Sequence, residues 1–320
     1  MQLTVLSGGV GGARFLRGLR EAAPPGSTIT AIVNVGDDMW LSGVRISPDL
    51  DSIMYTLAGV NDDERGWGRV GESSRVSEEL NAYGIGWPWF TLGDLDLGTH
   101  LARTSLLRDG LTLSAATDRI AARWDLGVVL LPATNDEVET YVVVADGSTM
   151  HFQEWWTRHR AALPATAFVF RNVFAATPAP GVLAAIASAD VILIAPSNPV
   201  VSIGPILAIP GVRAALSAAT APVVGVSPII DGAVVRGMAD ACLTAIGVST
   251  SASAVALHYG ARSAGGLLDA WLIDSTDAAQ VSSLETAGIR TAAVPLWMRD
   301  LPLSAQIATD ALALALSQQL

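Results

Sequence analysis

The first 35 residues constrain the fold more than any other stretch of the chain. Leu3-Thr-Val-Leu6 is a short apolar run of the kind a buried strand needs, and Gly8-Gly-Val-Gly-Gly12 follows it as a tight turn. Over 13–20 the apolar Phe15, Leu16 and Leu19 fall on one side of a helix, which Pro24-Pro-Gly26 ends. Residues 28–35 are rich in β-branched side chains and read as a second strand. Strand, helix and strand in so little chain make a βαβ unit, with a right-handed crossover and parallel strands.

Further unbroken apolar runs lie at 128–131, 141–144, 191–194 and 222–226. Helical patterns lie at 181–188, 206–217 and 235–246, and a last helix is expected over 303–318. Parallel strands buried on both faces look like these runs. The pattern predicts an α/β fold: a doubly wound, mainly parallel Rossmann-like sheet. Residues 61–125 differ, holding 18 of the chain's 49 charged residues and four of its nine Trp. Helical patterns at 77–83, 100–109 and 114–124, with no strand pattern, make this stretch a mostly helical insertion. The expected division is a nucleotide-binding domain over 1–60 and 126–320, capped by 61–125.

Composition excludes several functions. All 19 basic residues are Arg, so no Schiff-base or phosphate-loop lysine exists. The net charge of −11 argues against binding nucleic acid or an anionic membrane. The one cysteine, Cys242, excludes an internal disulfide and any multi-cysteine metal site. The N-terminus lacks a basic stretch ahead of an apolar one, and no apolar run reaches the roughly 18 residues of a membrane helix. A cytoplasmic protein is expected.

Four constellations could carry chemistry. In Ser7-Gly-Gly-Val-Gly-Gly-Ala-Arg14, glycines let backbone approach an anion at a helix N-terminus. Gly8, Gly9, Gly11 and Gly12 with Arg14 are candidate phosphate binders; the plainer reading is a structural turn. Asn34-Val-Gly-Asp-Asp-Met-Trp40 with Ser47-Pro-Asp-Leu-Asp-Ser52 gathers four carboxylates beyond a strand's carboxyl end, where ligands of open α/β sheets bind. A divalent cation bridging Asp37 and its neighbours to phosphate is one reading, and a solvated acidic loop the other. Asp94, Asp96 and His100 could do acid–base work or hold a hydroxyl, or the carboxylates could simply cap a helix. Ser197 and Asn198, in Ala195-Pro-Ser-Asn-Pro-Val-Val-Ser-Ile-Gly204, suit a nucleotide base or phosphate, and an ordinary loop is the alternative. His151-Phe-Gln-Glu-Trp-Trp156 reads mainly as packing, with ring stacking as the sharper role.

Taken together, GGVGGARFLRGL, NVGDDMWLSGVRISPDLDSIMYTLAG, LGDLDLGTHLARTSLLRDG, HFQEWW and APSNPVVSIGPIL resemble the 2-phospho-L-lactate transferase family of deazaflavin coenzyme biosynthesis. The Gly-Gly-Ala-Arg form is similar to the bacterial branch, whose donor carries enolpyruvate phosphate. The resemblance implies a homodimer that uses magnesium (Mg2+). The ribityl hydroxyl of the deazaflavin Fo attacks a guanosine diphosphate-linked donor, and GMP leaves. It implies that Asp37 and Asp51 lie near metal and hydroxyl as the catalytic pair, with Thr91 on the deazaflavin. Asp94 and His100 belong to the expected deazaflavin site. Two rivals remain at this point. An NAD(P)-dependent oxidoreductase explains the opening βαβ unit but not the clustered carboxylates. A non-catalytic nucleotide-sugar-binding regulator would carry Asp-Asp-Gly-Gly-Ser where this chain has Asp37-Asp-Met-Trp40.

Overall fold

In the computed structural model, which describes residues 1–317, seven parallel strands form one central sheet. They are β1 (Gln2–Ser7), β2 (Thr28–Val33), β3 (Val129–Pro132), β4 (Val191–Ile194), β5 (Val223–Val226), β6 (Ala270–Asp274) and β7 (Arg290–Val294). Their spatial order is β7-β6-β5-β4-β1-β2-β3, with β1 paired to β2 on one side and to β4 on the other. The chain thus winds outward twice from β1. Adjacent residues of one strand feed opposite cores: Leu3, Val5, Val191 and Leu193 pack on one face, Leu6, Ile192 and Ile194 on the other. That is why these runs are apolar without alternation.

On the first face lie α1 (Gly9–Ala22), α2 (Pro48–Ala58) and the C-terminal helix Leu301–Leu316. The last crosses α1 closely, because a Cβ on Gly18 would stand 2.3 Å from the Ser304 carbonyl carbon. Residue 318, the expected end of that helix, lies outside the described residues. Residues 61–125 contain α3 (Arg75–Ala82), α4 (Asp94–Arg108) and α5 (Leu113–Ala121), and among the described residues no strand. The helix expected at 100–109 starts earlier, so Asp94 and Asp96 form its first turn.

Several expectations need correction. The run at 141–144 is not in the parallel sheet. It belongs to an antiparallel strand, Glu139–Val144, between Thr149–His151 and Ala165–Arg171. Its residues alternate between buried and half-buried, the mark of a sheet covered on one side. The sequence pattern does not predict strands β6 and β7, Ala-Trp-Leu-Ile-Asp and Arg-Thr-Ala-Ala-Val, which lack an unbroken β-branched run, or the three-residue strands of the hairpin Met39–Leu41/Val44–Ile46. The helix expected at 206–217 is two, Gly204–Ala208 and Val212–Ala218, because Pro210-Gly211 interrupts it and Gly211 is left-handed at φ +91°. The helix expected at 235–246 spans only Ala239–Ala245. Ahead of it, a small hairpin, Ile229–Ile230/Ala233–Val234, and an irregular turn carry Arg236. Among the described residues no single helix is long and apolar enough to cross a membrane.

Candidate active site

A cleft of about 1020 Å³ opens beyond the carboxyl ends of β1 and β4, where the winding of the sheet reverses direction. Gly8, Gly9, Gly11, Arg14, Asp37, Asp51, Thr91, His100, Ser197 and Asn198 all line it. Gly12 and Asp94 do not. The two loops are joined directly: the Gly8 N–H donates to Ser197 Oγ (3.1 Å), and that hydroxyl donates back to Gly8 O (2.7 Å).

The four glycines do different things. Gly8 caps α1 without a side chain, and the first N–H of the helix, that of Gly9, is held by the Asp49 carboxylate instead. A Cβ on Gly8 would meet Asp49 Oδ2 at 2.5 Å; on Gly11, Pro196 O at 2.3 Å; on Gly12, Ser7 Oγ at 2.1 Å. These three let the protein pack against itself. Only Gly9 faces open space, with its nearest neighbour at 3.8 Å, and only Gly9 is left-handed, at φ +62°. The helix start with Gly9 at its lip is the part of this loop that could receive an anion.

Facing it is a pair of carboxyls, Asp37 and Asp49. Burial, then repulsion from Asp49 and Asp38, pushes the Asp37 carboxyl well above the ordinary range, and the Asn34 side chain only partly offsets this. Burial likewise raises Asp49 to about 6, against the Asn34 amide and the Gly9 N–H. Asn34 Nδ2 donates to Asp49 Oδ2 at 2.9 Å, whereas Asp37 Oδ1 is buried with no partner. Two raised carboxyls, one with an orphaned oxygen, suit a hard divalent cation. Asp38 points inward instead. Burial lifts it to about 7, and it is held by Ser47 Oγ (2.7 Å) and the buried Arg45 (3.9 Å).

Asp51 belongs to a different cluster. Its carboxylate is gripped by both terminal nitrogens of Arg103, a side chain only 1% exposed. His100 Nδ1 lies 3.3 Å from Arg103 Nη1 and 3.5 Å from Asp51 Oδ2, and Nε2 faces Asp96 Oδ2 at 3.4 Å. Burial alone would raise the Asp96 carboxyl, but His100 and the Tyr55 hydroxyl (2.8 Å) bring it below its usual value. Oxygens and nitrogens of Asp51, Asp96 and His100 lie within 4.8 Å of one another, close enough for a metal. The Arg103 charge already occupies that place. Sequence reading paired Asp37 with Asp51; the structure pairs Asp37 with Asp49 and gives Asp51 to Arg103. Nothing in composition flags Arg103, although its i,i+3 spacing from His100 on α4 could have found it.

The remaining candidates divide. Asp94 is exposed and accepts from the Ser73 N–H (3.0 Å) and hydroxyl (2.8 Å), fastening the start of α4 rather than facing the cleft. Asn198 spends its acceptor oxygen on the Val200 and Val201 N–H groups, and its amide hydrogen reaches Cys242 Sγ at 3.4 Å. Trp155 is fully buried and donates to Leu163 O (2.7 Å), while Trp156 lines the cleft, so packing and ring contact are split between neighbours. Trp67, Trp89, Phe90 and Trp297 complete an aromatic rim.

The profile of the family described as 2-phospho-L-lactate transferase CofD matches residues 3–295. A phosphoenolpyruvate transferase of Nocardia farcinica is 55% identical over 320 residues, covering 98% of this chain and 95% of its own. One of Streptomyces coelicolor is 54% identical over 318 residues, covering 98% of each chain. A third, from Mycobacterium sp. (strain KMS), is 50% identical, with 98% and 99% covered. In structure the chain is similar to protein BH3568 of Bacillus halodurans, described as a member of the UPF0052 family. The TM-score is 0.63, with 20% identity and 97% and 98% of the two chains covered, a likeness of fold. Since the profile spans almost the whole sequence and relatives at half identity match end to end, the chain belongs to the 2-phospho-L-lactate transferase CofD family.

Proposed function

We propose that this transferase of coenzyme F420 biosynthesis moves enolpyruvate phosphate from a guanosine diphosphate-linked donor to the terminal ribityl hydroxyl of the deazaflavin Fo, releasing GMP. The observation that carries the reading is the cleft itself: the start of α1 opens on it beside two raised carboxyls, Asp37 and Asp49, of which Asp37 keeps an oxygen with no partner among the described residues. The hydroxyl oxygen forms a bond to the phosphorus next to the acid group, the bond from that phosphorus to the GMP oxygen breaks, and the hydroxyl proton passes to a carboxylate. Both partners carry or develop negative charge, so little covalent work is asked of the protein and much electrostatic work.

Asp37 and Asp49 are the residues that would hold Mg2+, whose positive charge would lie against the diphosphate oxygens. The amides at the start of α1 add oriented dipoles there. Asp51, fixed by Arg103, orients the ribityl hydroxyl and accepts its proton, and His100 beside it holds the same chain of hydroxyls. Thr91 and the rim Trp side chains hold the deazaflavin ring, which makes 61–125 an acceptor cap over a nucleotide-binding domain. Phe174, 92% exposed just past the outer strand Ala165–Arg171, supports a homodimer, checked by sedimentation.

The test is to incubate the chain with Fo, Mg2+ and either the enolpyruvate or the lactate donor, reading products by mass spectrometry. GMP and a phosphodiester of Fo from the enolpyruvate donor are expected. GMP from neither donor overturns the reading, and a strong preference for the lactate donor, which the family description favours, corrects the acid.

A further inference from the structure

Arg14 lines the cleft from the second turn of α1, and among the described residues its side chain makes no hydrogen bond or ion pair. Its side chain is half-buried and its guanidinium carries five donors that protein groups leave to solvent or a ligand. The one carboxylate nearby, Asp63, is engaged at both oxygens, by Asn61 Nδ2 (2.9 Å) and Arg17 (3.8 Å). Arg236 reaches the same place from the other side of the cleft. Its Nη2 donates to the Arg65 carbonyl (3.1 Å), and its guanidinium lies on Gly66, where a Cβ would stand 1.6 Å from Nη2. Burial and the charge of Arg236 both pull the Arg14 guanidinium below its ordinary pKa. Arg65, by contrast, is spent: it pairs with Asp62 and Glu72 and covers Trp67.

Arg14 and the exposed Arg236 line the same cleft of an acidic protein, and an anion bound between them would meet both charges. The donor's diphosphate already has partners in the start of α1 and in the cation that Asp37 and Asp49 would hold. Arg14 stands one turn further along α1, and Arg236 is seated on the insertion loop. The anion they face therefore lies beyond the phosphates, on the acceptor side. We propose that Arg14 and Arg236 form the subsite for the carboxylate at the acid end of the donor's transferred group. The planar forks of two arginines match a carboxylate's two oxygens. This rests on the proposed donor and names the residues that tell it from plain GDP.

The test is calorimetry with Mg2+ and three ligands: GDP, the enolpyruvate donor, and that donor with its carboxylate methylated. Arg236→Gln should weaken the donor about tenfold or more, leave GDP within about twofold, and leave the ester unaffected. Arg236→Lys should recover part of the loss. Gly66→Ala, which displaces the guanidinium without changing its charge, should repeat the selective loss. Equal weakening of GDP and donor would show that the pair reads the diphosphate, and no weakening of either would leave Arg236 a loop fastener; both overturn the proposal. An unaltered chain that fails to bind GDP removes the reading of the whole site. One that binds GDP well, and the donor no better than its ester, removes the carboxylate subsite alone.

Discussion

Asp49 and Asp51 sit two residues apart in the first turn of one helix, and they live in opposite electrostatic worlds. A helix turns about 100° per residue, so two positions point the side chains to different flanks of α2. Asp49 meets the glycine loop and Asp37, and no cation neutralises that pair. Asp51 meets α4, where Arg103 claims both of its oxygens. The same residue type at the same helix start is thus open to a cation in one case and closed in the other. In our proposal, partner supply and not proximity to the glycine loop decides which carboxyl would bind metal. This is why the metal pair assigned from sequence, Asp37 with Asp51, gives way in our reading to Asp37 with Asp49.

The comparison breaks most visibly at Arg103. Arg103→Met leaves the buried Asp51 charge without its partner and should destabilise the fold by about 3 to 5 kcal/mol in urea unfolding. If stability hardly changes, Asp51 was never a closed site. Asp37→Ala or Asp49→Ala should act the other way round. Removing one of two repelling carboxyls relieves the fold, so the thermal midpoint should hold or rise. Turnover should fall about a hundredfold or more, the scale of losing one electrostatic stabiliser. A variant of either that keeps full turnover in excess chelator contradicts the metal assignment.

The open pair should also be legible in pH. Asp49 titrates at about 6 in the fold, above the 3.8 of an ordinary aspartate. Between those values the unfolded chain has released the proton and the folded chain still holds it, so this group's contribution to stability falls as pH rises from about 4 to about 6. His151, driven down by burial to about 4, pushes the opposite way over part of that range. Comparing the chain with Asp49→Asn cancels the histidine. The variant should gain about 2 kcal/mol relative to the parent between pH 4 and 7 without metal, and Mg2+ should erase the gap above pH 6. A gap that does not change with pH would mean Asp49 is not raised.

How much of this was visible in sequence follows the same line. The opening βαβ unit, the strands at 191–194 and 222–226 and the glycine loop were legible because local pattern alone forces them. The Gly8 and Ser197 segments, read separately in sequence, are joined by the Ser197–Gly8 hydrogen bonds. What was not legible depended on contacts between distant segments. Arg103 lies 52 positions from Asp51, and Arg236 lies 171 from the carbonyl it holds. Gly11 and Gly12 looked like phosphate glycines in sequence, yet the space they leave is filled by Pro196 O and Ser7 Oγ. Strands β6 and β7, with Ala, Asp, Arg and Thr among their five residues each, lack the unbroken apolar run that marked β4 and β5.

Asn198 offers the smallest and most discriminating test, because it asks whether a polar group already committed to the fold can also choose a ligand. In sequence its amide offers both a donor and an acceptor to guanine. In the structure the acceptor caps the turn Pro199–Ile203 through the Val200 and Val201 N–H groups. Only amide hydrogens remain, one of them directed at Cys242. The guanine ring N–H and amino group therefore find no acceptor here, and the residue can at most donate to the base's carbonyl oxygen. Asn198→Ala should cost about 1 kcal/mol of stability through the lost cap. The preference for GDP over ADP should fall by less than about tenfold, one neutral hydrogen bond's worth. Calorimetry of both nucleotides with both proteins, beside a thermal melt, separates the two effects. A larger loss of preference with an unchanged melt would show the side chain turning toward the base on binding, and the difference between committed and open groups would then not extend to this loop.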